Sequence, residues 1–454
     1  MKDYEYRKLK EISQLEFDKI NHDKQLKELV ESSLNNICSF LHKDPNIIKE
    51  YQLRQIQKLV DYAYLNIPLY KKKYDKVGYK LGSIKTFQDF YKLPLLYKDE
   101  LIDGFPNKIV KNVEDFKFST RSSGASGKFL TLAVNTDAIY TDTLQGIRQF
   151  MQQSNMEYQK EDVVLFIYTC PWWVSSIDGK YKLDYLPTTT KPIDALAYIK
   201  RTKPFMISTY PTYLQRLCDF NIKLCDYGVK YVIVHSEQSN AQLRSDMSKK
   251  LGVKILDEYS SEELTRIALE CPNHHYHIEE DASFIEIVDK NTHTHIDDGE
   301  GVVVGTNLLN YATPLIRYYQ GDIVTMDSTL KCQCGNNGRI ISSIKGREMD
   351  CIVSNDRIVA ASSFMDLAYN WFLTYNIPVQ GVKYQIIQTN KDKIVVCLSK
   401  GMYTLNENDL KNIKESLYSL VDRNLQIEIR FTDNFYYKSN KFKPVVNLIG
   451  ENYE

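Results

Sequence analysis

The chain lacks an apolar run approaching the ~20 residues that a membrane-spanning helix needs. Its most apolar stretch, residues 163–174, contains Thr169 and Pro171 and predicts a buried strand that leads into a loop. The N-terminus, MKDYEYRKLKEISQLEF, is charged and has none of the apolar character of a secretory signal core. These features lead us to expect a cytoplasmic location.

Net charge is absent as well, because 58 Lys and Arg residues balance 58 Asp and Glu residues. No global field therefore favours nucleic acid or a membrane surface as a partner. The nine cysteines are an odd number and are not spaced like a small disulfide scaffold, so most are expected to be buried thiols. Internal repeats and low-complexity linkers are also missing from the sequence.

The pattern of residue types changes along the chain. Its 454 residues suit one large and one smaller domain. The first hundred residues carry apolar side chains at helical spacing. From Asp115 onward, short runs rich in β-branched residues alternate with helical ones. This alternation predicts an α/β fold with at least one substantial sheet flanked by helices. Strands are predicted in DVVLFIYT, KYVIVHS, VKILDEY, FIEIVD and GVVVGTN, and a helix in NAQLRSDMSKKLG.

A break near IKGREMDCIVSNDR predicts a boundary between domains. Beyond it the pattern predicts a small α+β domain with helices at 362–375 and 406–421 and strands at 382–388, 393–398 and 426–431. We therefore expect residues 1–345 to form the large domain, of which residues 1–110 are mainly helical. Residues 346–350 are expected to be a hinge and residues 351–454 the small domain.

The most informative short stretch is STRSSGASGKF, residues 119–129. Glycines allow close backbone approach, and backbone N–H groups and Ser hydroxyls donate to phosphate oxygens. The stretch is not a Walker A loop, because Ser122 stands where that pattern needs Gly and Phe129 follows the Lys. A solvated Gly/Ser turn is the alternative. The predicted phosphate ligands are Ser122, Ser123, Gly124, Ser126, Gly127 and Lys128.

SSGASGK resembles the phosphate loop of the adenylate-forming enzymes, and most of all that of the phenylacetate–CoA ligase branch with its capsular-polysaccharide-biosynthesis relatives. LPLLYKDEL, KPFMISTYPTYL and VHSEQSNAQLR are similar to further blocks of that branch, in the same order, from about Gln52 to the C-terminus. The resemblance implies a ligase that uses ATP and Mg²⁺ to activate a carboxylic acid as its AMP ester. It also implies that the large domain is the adenylation domain and the small one a mobile lid.

DEYSSEELTRIALEC, residues 257–271, is similar to the family block that contacts adenine and magnesium. The resemblance implies that Asp257 and Tyr259 bind ATP, with the Tyr259 ring near adenine. Glu263 aligns with the magnesium ligand, and Glu262 is a near alternative. Magnesium prefers such hard oxygen ligands. The competing interpretation is an acidic helix start, where both glutamates would complement the helix dipole.

PLIRYYQGDIV resembles the block whose Asp holds the ribose hydroxyls, which is Asp322 here. A Gly-Asp turn is the plain alternative. GREMD occupies the hinge of the family, where Arg347 would contact ribose or the α-phosphate. Met349 stands where Asp or Lys is usual. We therefore expect a slow second half-reaction or a one-step enzyme.

The C-terminal stretch FYYKSNKFKPVVNLIG resembles the final block of the family. In that block a Lys follows a short turn and acts in adenylation, which implies this role for Lys441. Lys438 and Lys443 lie close enough to be alternatives. The competing interpretation is a solvated lysine in a Lys-rich segment.

Four Cys and His residues predict a structural zinc site. Cys332 and Cys334 form a CxC pair, and Cys271 with His277 lies in CPNHHYH. Zinc binds thiolate and imidazole tetrahedrally, and four protein ligands make a site structural. His274 or His275 could replace His277 in this set. Free surface Cys and His residues are the alternative.

By resemblance, the acid pocket involves His235, Ser236, Tyr259 and Ser261, with Trp172 or Trp173 as walls or as ordinary core residues. We expect a flat aromatic acid, CoA or a carrier-protein thiol as acceptor, and a homodimer as a further association. Two other hypotheses stay open. One is an enzyme that stops at adenylation or transfers AMP to a hydroxyl or amine; the other is a nucleotide-binding relative without turnover.

Overall fold

The structure is a computed structural model that describes residues 24–111, 118–121, 130–168, 182–239, 241–347, 350–354, 357–359, 361–375, 384–400, 405–437 and 442–450. Several predicted site residues lie outside the described residues, and the roles assigned to them stay predictions. They are Ser122, Ser123, Gly124, Ser126, Gly127, Lys128, Trp172, Trp173, Met349, Lys438 and Lys441.

Helices dominate the first described segment, as the apolar spacing predicts. They are α1 Lys24–Phe40, α2 Pro45–Asn66, α3 Pro68–Asp75, α4 Phe87–Tyr91 and α5 Lys98–Gly104. Helix α2 begins at Pro45 because the Asp44 side chain accepts from the Asn46 N–H at 2.8 Å and Pro needs no N–H partner in the first turn. It ends just before Pro68. Its buried face, which includes Ile56 and Leu59, packs onto the antiparallel part of the main sheet.

The centre of the fold is a twelve-stranded sheet of order β11-β10-β12-β13-β14-β9-β8-β7-β6-β5-β3-β4. Strands β4, β3, β5, β6 and β7 run parallel, and β7 to β11 pair antiparallel through β8, β9, β14, β13, β12 and β10. The parallel strands are β3 Val163–Tyr168, β4 Lys182–Pro187, β5 Met206–Thr209, β6 Tyr231–His235 and β7 Lys254–Ser261. Strand β7 is therefore where the parallel and antiparallel halves meet.

Three of the predicted site residues, His277, Asp322 and Arg347, lie on strands of the antiparallel half. Its strands are β8 Thr265–Glu270, β9 Tyr276–Ile278, β10 Ser283–Val288, β11 His295–Ile296, β12 Gly299–Asn307, β13 Tyr318–Met326 and β14 Ile340–Arg347. A separate two-stranded sheet joins β1 Phe118–Arg121 and β2 Thr131–Val134 on either side of the Ser/Gly stretch.

Helices cover both faces of the parallel strands, which explains why VVLFIY and YVIVH are nearly continuous apolar runs. These helices are α6 Thr136–Gln153, α7 Pro192–Thr202, α8 Pro211–Cys218 and α9 Ala241–Leu251, with a short 3-10 helix at Leu224–Tyr227. One face buries Ile147 and Phe150 of α6 against Ile233. The other buries α7, α8 and α9 against Val232 and Val234.

The C-terminal region has a four-stranded sheet of order β19-β18-β17-β20 with two helices and its own core. Its elements are β15 Ile352–Ser354, β16 Arg357–Val359, α10 Ala361–Thr374, β17 Tyr384–Asn390, β18 Lys393–Leu398, α11 Glu407–Leu417, β19 Gln426–Phe431 and β20 Val445–Asn447. Ile352 is buried in this core, whereas Cys351 packs with Val302 and Ile323 of the large sheet. The change of partners occurs at the break that the sequence indicates.

One sequence interpretation is wrong. Glu262 and Glu263 do not start a helix, because they lie in the tight turn that joins antiparallel strands β7 and β8. Thr265, the first residue of β8, has a positive φ of 57°, which fits a reversal of the chain direction. Among the described residues, no helix is long and apolar enough to cross a membrane.

Candidate functional site

The candidate site lies around the end of β7, where the chain turns into β8. Strand β6 ends at His235 and β7 at Ser261, and these two strands are parallel neighbours. Ligands of open α/β sheets bind outside the carboxyl ends of the parallel strands, because the backbone N–H groups and loops there are free to contact them. Among the described residues predicted for nucleotide and acid, Tyr259 and Ser261 lie on β7, His235 and Ser236 lie at the end of β6, and Glu263 lies in the turn after β7.

Three residues predicted to bind ATP form one contact group. The Tyr259 hydroxyl donates to Asp322 Oδ2 at 2.7 Å, and Arg347 Nε lies 3.3 Å from Asp322 Oδ1. Asp322 and Arg347 are direct partners in the β13–β14 pairing, so the sheet register places the carboxylate beside the guanidinium. A carboxylate with both oxygens oriented in this way can accept hydroxyl protons from a vicinal diol such as ribose.

Arg347 keeps its positive charge in this setting. Burial alone lowers the pKa of its guanidinium, but the carboxylates of Asp322, Glu263 and Asp350 outweigh that effect and leave the pKa raised. Because a guanidinium is planar and fully ionised, it suits recognition of a phosphate oxygen. The same burial, together with Asp322, raises the pKa of the Tyr259 phenol well above its usual range, so this hydroxyl remains a proton donor.

Glu263 lies at the turn between β7 and β8 and is 5% exposed. Its carboxylate accepts the Tyr318 hydroxyl at 3.3 Å, and its carbonyl accepts the Asn307 amide at 3.1 Å. Ser261 holds the turn by accepting from the Leu264 N–H at 3.1 Å. A carboxylate has about four acceptor positions, so the one side-chain hydrogen bond that the Glu263 carboxylate accepts among the described residues, from Tyr318, leaves room for a cation.

Asp257, also predicted to bind ATP, is engaged by other protein groups. The Tyr276 hydroxyl donates to Asp257 Oδ2 at 2.7 Å, and Arg244 lies 3.7 Å from the same oxygen. Burial raises the pKa of Asp257 to about 6 although Arg244 lowers it. These contacts favour a structural role, and ATP binding by Asp257 stays a prediction.

His235 and Ser236, predicted for the acid pocket, lie among aromatic rings. The His235 ring centroid is 5.1 Å from that of Tyr168 and 5.9 Å from that of Tyr210. Ser236 has a positive φ of 68°, and its Oγ lies 3.0 Å from His235 Nδ1 and 3.3 Å from the Tyr168 hydroxyl. The three rings come from the ends of β3, β5 and β6.

Sequence reasoning missed Glu258, which pairs with His235 across β6 and β7. It also missed Tyr168, Tyr210 and the buried polar face of α6, which includes Gln149. The signal for Glu258 was available, since it lies inside the DEYSS block at the predicted end of a strand. The aromatic partners gave no such signal, because only the order of the strands brings them to His235.

A second cluster lies beside β8, β9 and β14. One ligand atom each from Cys271, His277, Cys332 and Cys334 lies within 4.8 Å of the others. The Cys271 and Cys332 sulfurs are 3.7 Å apart, and Cys334 Sγ is 3.3 Å from His277 Nε2. The structure thus brings together the four residues predicted to bind zinc.

Two distances within the cluster are close to those of a tetrahedral metal site. With Zn–S bonds of about 2.3 Å and Zn–N bonds of about 2.1 Å, tetrahedral ligands lie about 3.8 Å apart for two sulfurs and about 3.6 Å apart for sulfur and nitrogen. His277 Nδ1 lies 3.2 Å from the Gly338 carbonyl, which orients Nε2 toward the sulfurs. His274 instead contacts Glu270 at 2.9 Å, so it is not a member of the cluster.

The turn at residues 332–338 also contacts the N-terminal helices. His42 Nδ1 lies 2.6 Å from the Gly335 carbonyl, and the Asn337 N–H donates to the Leu41 carbonyl at 2.7 Å. Leu41 and His42 belong to the connection between α1 and α2. The cluster therefore lies under a contact that joins the helical region to the sheet.

Lys443, an alternative to Lys441, is already paired. Its ammonium donates to both oxygens of Asp350 at 2.8 Å. Nearby, the Asn447 amide donates to the Cys351 carbonyl at 2.8 Å. The C-terminal block therefore lies against the predicted hinge, and the charge of Lys443 is committed to Asp350.

No protein-family model matches the sequence. Phenylacetate–coenzyme A ligase from Pseudomonas putida is 25% identical over 326 residues, which cover 67% of this chain and 72% of that protein. Phenylacetate–coenzyme A ligase from Thermus thermophilus is 24% identical over 330 residues, with the same shares of the two chains, 67% and 72%.

Solved structures agree with these relatives. A 2-hydroxyisobutyryl-CoA ligase in the postadenylation state, in complex with 2-HIB-AMP, superimposes with a TM-score of 0.72 at 15% identity, over 88% of this chain and 89% of that one. ATP-bound MatB from Rhodopseudomonas palustris superimposes with a TM-score of 0.52 at 13% identity, over 73% and 68%. The resemblance predicted from the sequence is thereby confirmed: the chain is a homologue of the phenylacetate–CoA ligases and has the fold of the adenylate-forming acyl-CoA ligases.

Proposed function

We propose that this protein uses ATP to convert a carboxylic acid into its acyl-adenylate and then transfers the acyl group to CoA. A carboxylate oxygen attacks the α-phosphorus, and pyrophosphate leaves. The CoA sulfur then attacks the acyl carbon, loses its proton, and AMP leaves. The observation that carries the proposal is the Tyr259–Asp322–Arg347 contact group at the carboxyl edge of the sheet of a phenylacetate–CoA ligase homologue.

Each described residue has a defined part in this proposal. Asp322 accepts the ribose hydroxyls, with Tyr259 orienting its carboxylate. Arg347, held in place beside Asp322, offsets charge that develops on the α-phosphate. Glu263 holds Mg²⁺, which supplies further positive charge to the phosphates when bound.

Two further parts are assigned from the sequence. The Ser/Gly loop at residues 122–128 holds the β- and γ-phosphates. Lys441 bridges the acid carboxylate and the α-phosphate with a compact ammonium charge. The loop follows β1, which pairs with β2 beside the start of α6, so both of its flanks are described.

The lysine is carried by a mobile domain in this proposal. Residues 1–345 form the adenylation domain, 346–350 the hinge and 351–454 the lid. The separate C-terminal core and the change of partners between Cys351 and Ile352 support this division. Hinge residues absorb such motions at the ends of elements, and Arg347 is the last residue of β14.

A structural zinc ion is the second part of the proposal. Cys271, His277, Cys332 and Cys334 would hold it with four protein ligands and no open position. Such a site supplies folding energy and no chemistry at the substrate. Its support is the Cys271–Cys332 sulfur distance and the distance from the Cys334 sulfur to His277 Nε2, both close to those of tetrahedral zinc ligands.

The acid pocket is formed by His235 and Ser236 with Ser261 and the edge of Tyr259. The neighbouring Tyr168 and Tyr210 rings favour an acid with a flat aromatic body, since aromatic pairs prefer offset or edge contacts at these separations. Trp172 is a further wall by sequence resemblance.

Exchange of radiolabelled pyrophosphate into ATP, measured with a panel of aromatic and aliphatic acids, tests the first step. Acid-dependent exchange that needs Mg²⁺ supports adenylation. The absence of exchange with every acid in the panel contradicts it. Adding CoA and following thioester formation tests the second step. Exchange without thioester would favour the adenylation-only alternative, which the atypical Met349 motivates, and a carrier-protein thiol is the acceptor to test next.

A further inference from the structure

Glu258 has an unusual position for an acidic residue. It lies near the carboxyl end of β7, beside His235 at the end of β6, and its side chain faces helix α6. There the Gln149 amide donates to Glu258 Oε2 at 2.6 Å. Successive strand residues point to opposite faces, so Glu258 lies on the other face of the sheet from the Tyr259–Asp322 pair.

The carboxylate of Glu258 is ionised. Burial raises its pKa, but His235, Arg266 and hydrogen bonds from Gln149 and Ser260 outweigh burial and leave the pKa lowered. Arg266 is itself held by an ion pair with Asp142 and by a hydrogen bond to Gln149 Oε1 at 2.7 Å. Glu258 therefore lies near the charges of His235 and Arg266, but none of the ion pairs among the described residues joins its carboxylate directly to a Lys or Arg.

A second observation comes from α6. Gln145 is fully buried, and neither its amide nitrogen nor its amide oxygen has a hydrogen-bond partner among the described residues. Helical spacing places Gln145 between Asp142 and Gln149, on the face that contacts Arg266 and Glu258. Buried amides without partners are rare and costly, so unused hydrogen-bonding capacity is concentrated on this side of the sheet edge.

The ring of His235, the strand partner of Glu258, is surrounded by aromatic side chains. His235 lies 5.1 Å from the Tyr168 ring, 5.9 Å from Tyr210 and 6.4 Å from Phe166, centroid to centroid. The combination suits a ligand with a flat apolar body and one polar group. The reacting carboxylate of an acid cannot be that group, because it would repel the Glu258 carboxylate.

We propose that the acid activated by this protein carries a hydrogen-bond donor, a hydroxyl or an ammonium, at the end remote from its reacting carboxylate, and that Glu258 accepts it. This inference rests on the proposed function and adds the substrate class. An acid without the donor would bury the Glu258 charge against an apolar ring, and sites built for a polar partner discriminate strongly against analogues that lack it.

The test begins with the wild-type protein. Pyrophosphate exchange is measured with phenylacetate, meta- and para-hydroxyphenylacetate and para-aminomethylphenylacetate, and kcat/KM is compared. We expect the best donor-bearing acid to exceed phenylacetate by about a hundredfold or more. The hydroxyl and ammonium acids separate the two kinds of donor. Phenylacetate equal to or better than every donor-bearing acid would overturn the inference while leaving the proposed function intact.

Variants locate the effect at Glu258. Glu258→Gln should lower kcat/KM for the preferred donor-bearing acid at least about tenfold, and Glu258→Leu should shift preference toward phenylacetate. Glu161→Gln is the matched control, because Glu161 is exposed and forms a surface ion pair with Lys182. An unchanged preference in both Glu258 variants contradicts the assignment.

Two controls separate the ways in which the experiment can fail. Thermal unfolding and AMP binding show whether each variant is folded; if neither Glu258 variant folds, the wild-type panel alone decides the substrate class. No exchange with any acid, in wild-type protein that binds ATP, overturns both the proposed function and this inference.

Discussion

The Tyr259–Asp322–Arg347 contact group and the Cys/His cluster lie on one sheet but differ in how their charges are balanced. In the first, Arg347 is already neutralised by Asp322, and Tyr259 satisfies the other carboxylate oxygen. In the second, three thiols and an imidazole converge on one point. A group that is balanced within the protein can fold without its ligand, whereas convergent metal ligands contribute stability only with a metal.

The comparison predicts opposite consequences for mutation. Changes at the Tyr259–Asp322–Arg347 contact group, at Lys441 and at the loop of residues 122–128 should affect catalysis more than folding. Changes at the Cys/His cluster should affect folding more than catalysis, because the cluster lies under the contact between Gly335 and His42 and not beside Asp322.

The largest effect is expected at the metal cluster. Cys332→Ser with Cys334→Ser should lower the free energy of unfolding by about 4 kcal/mol or more, since two of the four proposed zinc ligands would be lost. Chemical denaturation measures it, and Cys225→Ser is the control because Cys225 is exposed and outside the cluster.

Metal analysis checks the premise of that prediction. Protein purified without added zinc should contain about one zinc per chain, as expected for a closed four-ligand site. Folded protein with under about a tenth of an equivalent would rule out the zinc site. If the variant with Cys332→Ser and Cys334→Ser lost more free energy of ATP binding than free energy of unfolding, the roles assigned to the two clusters would be reversed.

Asp257 lies between the contact group and the Cys/His cluster. The pH dependence that Asp257 gives to the free energy of unfolding shows which of the two it belongs to. Its pKa of about 6 in the fold exceeds the ordinary value of 3.8, so folding favours the protonated form. Its contribution to stability is therefore complete below pH ~4 and is lost as pH rises through ~6, by about 3 kcal/mol at most.

Asp257→Asn should remove this dependence. The difference in unfolding free energy between wild type and variant, measured from pH ~4 to ~7, should fall and then level off. The KM for ATP should change less than about threefold if the contacts with Tyr276 and Arg244 define its role. A flat difference curve with a large rise in KM would place Asp257 in the nucleotide site instead.

Lys441→Ala should lower the adenylation rate about a hundredfold or more, equivalent to about 2.7 kcal/mol, because the bridging charge is lost. ATP affinity and thioester formation from a supplied acyl-adenylate should barely change. Lys443→Ala is the matched control, since Lys443 is paired with Asp350. If Lys443→Ala or Lys438→Ala abolishes adenylation while Lys441→Ala leaves it within about threefold, the assignment is wrong.

The smallest effect is expected in the phosphate loop. Ser122→Ala with Ser123→Ala should weaken pyrophosphate exchange about tenfold or more, about 1.4 kcal/mol, because hydroxyl donors to phosphate are lost while backbone donors remain. Exchange kinetics at varied ATP measures it, with Ser328→Ala as a remote control whose hydroxyl contacts Asp298. Unchanged exchange would remove these hydroxyls from the mechanism.

Much of the fold was predictable because local patterns agree with it. The runs VVLFIY and YVIVH are β-branched and apolar, so they form strands buried on both faces. The C-terminal order of helix, two strands, helix and strand was also predicted, with ends shifted by a few residues. The sequence left a helix start at Glu262 and Glu263 open as the alternative to a magnesium ligand, because acidic residues favour the first turn of a helix as well, and only the pairing of β7 with β8 excludes the helix.

The sequence by itself determined the kind of chemistry, because glycines, hydroxyls, carboxylates and thiols at fixed spacing carry that information along the chain. Tertiary structure alone decided which side chains meet. It selected His277 over His274 for the Cys/His cluster, since Glu270 engages His274. It also placed Glu258 beside His235, through the pairing of strands 23 positions apart in the chain. Such contacts depend on strand order and helix placement, which are set by burial of the whole apolar surface and not by any local pattern.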